Sequence, residues 1–178
     1  MEFVGLDKLS ILDYEDMVSA VIFTPKCNFR CPFCHNGTTV LTSNEYIPFD
    51  EILDYLKSRR GLLDAVVVTG GEPTLMPELK DRISQIKALG FKVKLDTNGT
   101  NPQMVKLLNE NGLVDYFAMD IKNDRENYAE IIGLTKYDTK TIEETVDFFI
   151  TGNCDYEFRT TLINEYHKKD NIEKISEW

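Results

Sequence analysis

Three of the four cysteines, Cys27, Cys31 and Cys34, fall in the run Cys27-Asn28-Phe29-Arg30-Cys31-Pro32-Phe33-Cys34. A C-x3-C-x2-C spacing can wrap three thiolates around one compact metal centre. It stops one ligand short of the four cysteines that saturate most [4Fe–4S] clusters, and three would leave one iron open to a substrate or cofactor. Structural zinc is the competing reading, with His35 or Cys154 as fourth ligand. Zinc ribbons and fingers usually pair C-x2-4-C with a second, distant pair, and the sequence has none. Disulfides need an oxidising compartment, and residues 1–8 lack the basic region and apolar core of a secretory signal.

Other chemically loaded residues stand further along. In Gly70-Gly71-Glu72-Pro73 the two glycines lack a Cβ and let backbone approach a ligand closely, although such a run alone reads as a turn. Asp96-Thr97-Asn98-Gly99 carries a turn signal in its last two residues. Asp120 and Lys122 are two apart, so in extended chain they point to one side, as a site or as a simple ion pair. Arg159 is a charge inside a run otherwise headed for burial and needs an anionic partner. Cys154 reads as a buried thiol and His35 as an aid to the loop's turn, while His167 receives no role.

The elements that must position these residues follow from periodicity. Apolar, β-branched runs at 18–24, 65–69, 91–96, 114–121 and 156–163 suggest strands buried on both faces, as in a parallel sheet. Helical patterns lie between them. Phe49, Ile52, Leu53 and Leu56 share a face after Pro48, and Leu79, Ile83, Ile86 and Leu89 do so between Pro77 and Gly90. Asn101-Pro102 opens a helix with Val105 and Leu108, and Ile142, Val146, Phe149 and Ile150 mark another that ends at Gly152. Repeated strand and helix means right-handed βαβ units, in an open doubly wound sheet or a curved partial barrel. Either way the active site lies at the carboxyl ends of the strands. The cysteines, Gly70 to Pro73, Asp96 to Gly99 and Asp120 to Lys122 all follow or close a strand.

The whole chain sets outer bounds. Its 178 residues suit one domain with a real core. A net charge of −10 argues against a nucleic-acid surface, and no apolar run is long enough to span a bilayer, so cytoplasm is the expected location. Histidine is nearly absent, which suits chemistry other than general acid–base catalysis.

Together, Cys27-x3-Cys31-x2-Cys34 with Phe33, and Gly70-Gly71-Glu72-Pro73, resemble the radical SAM enzymes. Ser10 to Tyr14, Ala20 to Thr24, Cys31-Pro32-Phe33-Cys34-His35-Asn36, Asp96 to Gly99 and Asp120 to Lys122 resemble the glycyl-radical-enzyme activases, most closely those of anaerobic ribonucleoside-triphosphate reductase. The resemblance implies a partial (β/α)6 TIM-like barrel of the α/β class, a [4Fe–4S] cluster on the three cysteines, and S-adenosylmethionine chelating the open iron. An electron from a flavodoxin or ferredoxin would cleave the cofactor to methionine and a 5′-deoxyadenosyl radical. That radical would take a hydrogen atom from a glycine of the partner enzyme. The cofactor carries the hard chemistry, and the protein positions it.

The same resemblance distributes roles. Gly70, Gly71 and Glu72 would receive the cofactor's amino group, with Glu72 either accepting from that amine or bracing the loop, and Lys122 would meet its carboxylate. Phe33 would pack on the cluster or adenine, or serve plain core packing, Asp120 would face the partner's glycine loop, and Arg159 matches the family's strand-five arginine. Asn98 joins the cofactor-binding set, and Asp96, Thr97 and Asp120 would hold a monovalent cation. Five strands are visible, and residues 172–178 fall in the helix after the fifth, so the expectation is one domain over 1–178 that stops before a sixth strand. The alternatives are an activase of pyruvate formate-lyase type, a radical enzyme acting on a small molecule such as a deazapurine synthase, and a zinc-binding module.

Overall fold

The computed structural model describes residues 2–42 and 45–178. Its strands are β1 Gly5–Ser10, β2 Ser19–Thr24, β3 Ala65–Gly70, β4 Lys92–Thr97, β5 Tyr116–Asp120 and β6 Tyr156–Arg159. They form one sheet in the order β1-β2-β3-β4-β5-β6. From β2 to β6 every neighbouring pair is parallel, and β1 lies antiparallel on β2. Strand order equal to chain order decides between the two expected architectures. Each right-handed crossover advances in the same direction, so the helices collect on one face and the sheet curls around the other. The result is a partial TIM-like barrel, not a doubly wound sheet.

All five apolar runs are strands. The sixth is β1, at the amino-terminal edge, where Gly-Leu-Asp-Lys-Leu-Ser has no apolar run and is half exposed. The last run was expected to reach residue 163 but stops at Arg159. The Thr160 hydroxyl then donates to Ile121 O at 2.9 Å, and Leu162 is 60% exposed.

The helices are α1 Gly37–Thr42, α2 Phe49–Ser58, α3 Leu79–Ala88, α4 Pro102–Glu110, α5 Tyr128–Ile131, α6 Lys140–Thr151 and α7 Lys169–Ile175. In α2 the spacing of Phe49, Ile52, Leu53 and Leu56 buries all four, while Asp50 and Glu51 in the first turn and Lys57 in the last complement the helix dipole. Pro102 fits the first turn of α4, and Asn101 caps it by accepting from Met104 N–H at 3.2 Å, a contact contributing about 1 kcal/mol. Ile150, expected on the buried face of α6, is 53% exposed, because one residue past Phe149 lies about 100° further round the helix.

Alternation along each strand sorts the side chains. Ala20, Ile22, Val66, Val68, Val93, Leu95, Phe117 and Met119 join the helices in the main core. On the inner face, Val21, Ala65 and Val67 make a small cluster with Tyr14. The pleat also sends Lys94, Asp96, Asp120, Glu157 and Arg159 inward, so the second half of the barrel wall is charged. Among the described residues no helix is long and apolar enough to cross a membrane.

Candidate functional site

The cysteine loop starts where β2 ends. Lys26 adopts φ 65°, which turns the chain out of the strand, and its N–H donates to Val40 O at 2.8 Å. The end of β3 keeps pairing with this loop beyond the ladder. Gly71 N–H donates to Thr24 O at 2.9 Å and Glu72 N–H to Lys26 O at 2.8 Å. A Cβ on Gly70 would sit 2.5 Å from Thr24 N, and one on Gly71 would sit 2.5 Å from the Lys26 carbonyl carbon. Both glycines border the cavity, yet the close approach that requires them is to the chain's own cysteine loop. The loop is held on other sides too. The Arg30 guanidinium donates to Cys27 O at 2.6 Å and Phe29 O at 2.7 Å, and Arg30 N–H donates to Ile132 O at 2.8 Å.

Cys27, Cys31 and Cys34 are free and border one cavity of ≈ 240 Å³, shared with Phe33, Glu72, Asp96, Asn98, Asp120, Lys122 and Arg159. The four strand ends named from the sequence therefore do converge. A second space of ≈ 730 Å³ adjoins along the inner barrel wall, where Asp96, Asp120 and Arg159 recur. Burial pushes the Cys27 thiol up and the Cys31 thiol up to about 11, with the Lys122 charge opposing in both. Cys27 Sγ also accepts from Phe29 N–H at 3.4 Å. Thiols become ligands by losing that proton to a metal.

Among the described residues no three His, Cys, Asp or Glu side chains converge on a single ion. A lone zinc needs its ligands at about 2.3 Å from one point, whereas a four-iron cluster takes each thiolate on a different iron. Three soft donors spread around one cavity fit the cluster. His35 is exposed at the rim. Cys154 is half-buried against the core, just before β6 begins, at the other end of the strands.

Glu72 is 1% exposed. Its Oε1 accepts from the backbone and hydroxyl of Thr74 and from the Thr97 hydroxyl at 2.8 Å, and Oε2 accepts from Asn98 N–H at 2.6 Å. Burial raises this carboxyl against the pull of those hydrogen bonds. Of its two expected roles, the contacts present are those of a brace between two strand ends. Asn98 turns inward as well, donating to Asn28 Oδ1 at 2.9 Å and, more weakly, to Cys27 Sγ at 4.0 Å.

Asp120 and Arg159 face each other across β5 and β6, and Arg159 Nε lies 3.2 Å from Asp120 Oδ1. Arg159 also reaches Asp96 Oδ2 at 3.3 Å, and Lys122 Nζ lies 2.7 Å from Asp120 Oδ2. Burial raises the Asp96 carboxyl, with Arg159 opposing. Its Oδ1 is buried without a hydrogen bond of normal geometry. This under-satisfied carboxylate, which also meets the Thr69 side chain, lines the thiol-bearing cavity with Lys122 and Arg159, and the set suits a ligand carrying an amine and a carboxylate.

Asp96, Thr97 and Asp120, the expected cation group, all border the cavity with their side chains already engaged. Thr97 follows Asp96 in the strand, so its hydroxyl points to the opposite face and donates to Glu72, and the Arg159 guanidinium stands between the two carboxylates. Two further side chains reach the site unannounced by the sequence. Tyr128 and His167 are both buried and hydrogen-bond to the backbone of Lys122. Neither sits in a motif, and only the fold brings them there.

Comparison with known proteins agrees with this geometry. Residues 21–175 match the radical SAM superfamily. A protein of Methanocaldococcus jannaschii named "Putative glycyl-radical enzyme activating enzyme" is 36% identical over 180 residues, covering 97% of this chain and 72% of its own. The GTP 3′,8-cyclase of Helicobacter pylori is 34% identical over 114 residues, 59% of this chain and 35% of that enzyme. Among solved structures, coproporphyrinogen III oxidase from Escherichia coli, described as a radical SAM enzyme, superposes with a TM-score of 0.57 at 16% identity. The match covers 88% of this chain and 40% of that one, and shows a shared fold. Thiol spacing, barrel and match over most of the chain lead to one conclusion: the protein belongs to the radical SAM superfamily.

Proposed function

We propose that this chain, as a single domain over 1–178, is an activase of a glycyl radical enzyme, specifically of anaerobic ribonucleoside-triphosphate reductase. The observation that carries the reading is the cavity that gathers the three cysteines with the charged residues Asp96, Asp120, Lys122 and Arg159 at the strand ends and continues along the inner wall. The relative from Methanocaldococcus jannaschii supports the same class.

Superfamily membership implies a [4Fe–4S] cluster and S-adenosylmethionine, which together supply a 5′-deoxyadenosyl radical on one-electron reduction. The residues here would hold and shield that chemistry. Cys27, Cys31 and Cys34 would hold the cluster through their thiolates. Lys122 and Arg159 offer positive charge to a carboxylate, and Asp96 Oδ1 offers an acceptor to the amine or a hydroxyl. Gly70, Gly71 and Glu72 set the floor under the amino group, and Glu72 and Asn98 brace it. Phe33 offers a ring face for adenine, and Asp120 holds Lys122 while facing the barrel. A flavodoxin or ferredoxin is the proposed electron donor.

Anaerobic reconstitution tests this directly. The chain should take up four irons per molecule and form 5′-deoxyadenosine when reduced with the cofactor. It should also place a glycyl radical on the reductase, seen by electron paramagnetic resonance. Deoxyadenosine without a radical on any glycyl radical partner refutes the activase reading and leaves the superfamily intact. The cyclase relative favours a second reading, a radical enzyme acting on a nucleotide. Consumption of GTP in the same mixture would establish it.

A further inference from the structure

The β5–β6 ladder ends with Ile121 N–H donating to Arg159 O at 2.9 Å. Lys122 lies one residue beyond it and has no strand partner, yet its backbone is held in both directions. Its N–H donates to the Tyr128 hydroxyl at 3.4 Å, and its carbonyl lies 2.9 Å from His167 Nε2. His167 is 8% exposed and Tyr128 fully buried.

The tautomer of His167 follows from its partners. Ile163 N–H can only donate, and it points at Nδ1 at 3.0 Å, nearer than the Ile163 carbonyl at 3.3 Å, which already accepts from His167 N–H at 2.8 Å, so Nδ1 carries the lone pair. Lys122 O can only accept, so the ring proton sits on Nε2. The segment that carries His167 is anchored separately. Asn171 of α7 donates to Asp124 Oδ2 at 2.6 Å, and the Tyr166 ring stands 6.5 Å from that of Phe33. His167 thus connects a separately anchored segment to the peptide that follows the Lys122 Cα.

We infer that His167 is a positioning residue for Lys122: its Nε2–H clamps the Lys122 carbonyl and so fixes where the ammonium stands in the cavity. The inference rests on the reading above only in giving that ammonium a cofactor carboxylate to meet.

Two substitutions separate the clamp from the local turn. In His167→Asn the amide oxygen falls near the place of Nδ1 and keeps the Ile163 bond, but the side chain is too short for Lys122. In His167→Gln the amide nitrogen reaches the place of Nε2 and restores the donor to Lys122. The first readout uses the full chain without iron. Imidazole nitrogen shifts should report the Nε2–H tautomer in the wild type. Amide exchange at Lys122 and Asn123 should rise roughly three- to tenfold in His167→Asn and stay near wild type in His167→Gln, the range expected for loss of one hydrogen bond.

The second readout is the dissociation constant for S-adenosylmethionine on the reconstituted protein, by equilibrium dialysis. It should weaken by a similar factor in His167→Asn alone. Equal exchange in both variants overturns the clamp. Faster exchange in His167→Asn with unchanged cofactor affinity overturns the positioning role. A wild-type protein that loads iron but binds no S-adenosylmethionine defeats the functional reading instead, and the exchange data still decide the clamp.

Discussion

Replacing Gly71 by alanine should dislodge the cysteine loop at its base. The added Cβ would stand 2.5 Å from the Lys26 carbonyl carbon and nearer still to its oxygen, where real Cβ atoms do not come within 3.0 Å. The carbon must therefore retreat by at least half an ångström, and the oxygen by more. Both atoms are backbone, one residue before Cys27, so no side chain can swing away to relieve the contact. The movement also strains the Glu72 N–H to Lys26 O bond of 2.8 Å. Overpacking costs about 1–3 kcal/mol and a lost backbone bond about 0.5–1.5, so the loss should be roughly 2–4 kcal/mol. For a domain of this size that is a fall in Tm of roughly 4–16 °C. Gly37→Ala is the control, since it lies in the same region with its Cβ 3.5 Å from Cys34 Cβ, an ordinary contact. Gly37 begins α1, so alanine there should be neutral or stabilise by up to about 1 kcal/mol. Urea unfolding of both variants without iron, followed by iron content after reconstitution, gives the comparison. If Gly71→Ala unfolds with the wild type and loads iron as well as Gly37→Ala, the glycine does not serve the cysteine loop.

Two further predictions concern the charged wall. Asp96 lies above its ordinary 3.8 because it is buried, so its contribution to stability is full below that value and is lost as pH rises through the folded pKa. Arg159→Met removes the charge that opposes this rise. The cost should therefore grow with pH, from about 1 kcal/mol near pH ~5 to about 2–3 near pH ~8, after allowing for an arginine that water partly reaches. Urea midpoints at the two pH values test this, and a loss that is equal or larger at the acid end refutes it. Lys94 is 5% exposed, paired with Glu157 at 2.9 Å and set over the rings of Tyr14 and Tyr116. Lys94→Met should shift stability by no more than about 1 kcal/mol, whereas Glu157→Ala leaves a buried ammonium short of its carboxylate and should cost about 2 kcal/mol. The reverse order, in the same unfolding assay, would mean that the ammonium is already stabilised by the rings alone.

Much of this arrangement was legible because parallel strands announce themselves. A strand covered on both faces tends to be apolar throughout, as Ala20 to Phe23 and Ala65 to Val68 are, and β4 to β6 keep enough apolar residues on the helix-covered face to be placed from sequence despite the charges on the other. β1 could not be, since an edge strand half in water needs no such run. The site divides along a similar line. Cys27, Cys31, Cys34, Gly70, Gly71, Asp120 and Lys122 sit in short motifs whose spacing carries their geometry. Tyr128 and His167 reach Lys122 from a short helix and from the segment before α7, and contact made across the fold leaves no local pattern. The purpose of Gly70 and Gly71 was hidden for another reason. A missing Cβ says that something comes close, and only coordinates say that it is the backbone of Thr24 and Lys26.

The expected cation site has to be weighed against the charges already present. Read as motifs, Asp96 and Asp120 are two carboxylates at neighbouring strand ends, and an added cation would seem to be needed. In the fold they belong to a connected set in which Lys94, Arg159 and Lys122 face Glu157, Asp96 and Asp120. Three positive and three negative side chains cancel, so the half-buried wall is neutral by its own residues. Arg159 supplies by covalent attachment what a bound ion would supply by affinity. The set is not closed, because Asp96 Oδ1 still lacks a full hydrogen bond. An amino-acid zwitterion brings one charge of each sign and could engage Lys122 and Asp96 without upsetting that balance. A simple cation or anion would upset it. The wall is thus built to favour a ligand with both charges, which is the chemistry of the methionine end of S-adenosylmethionine.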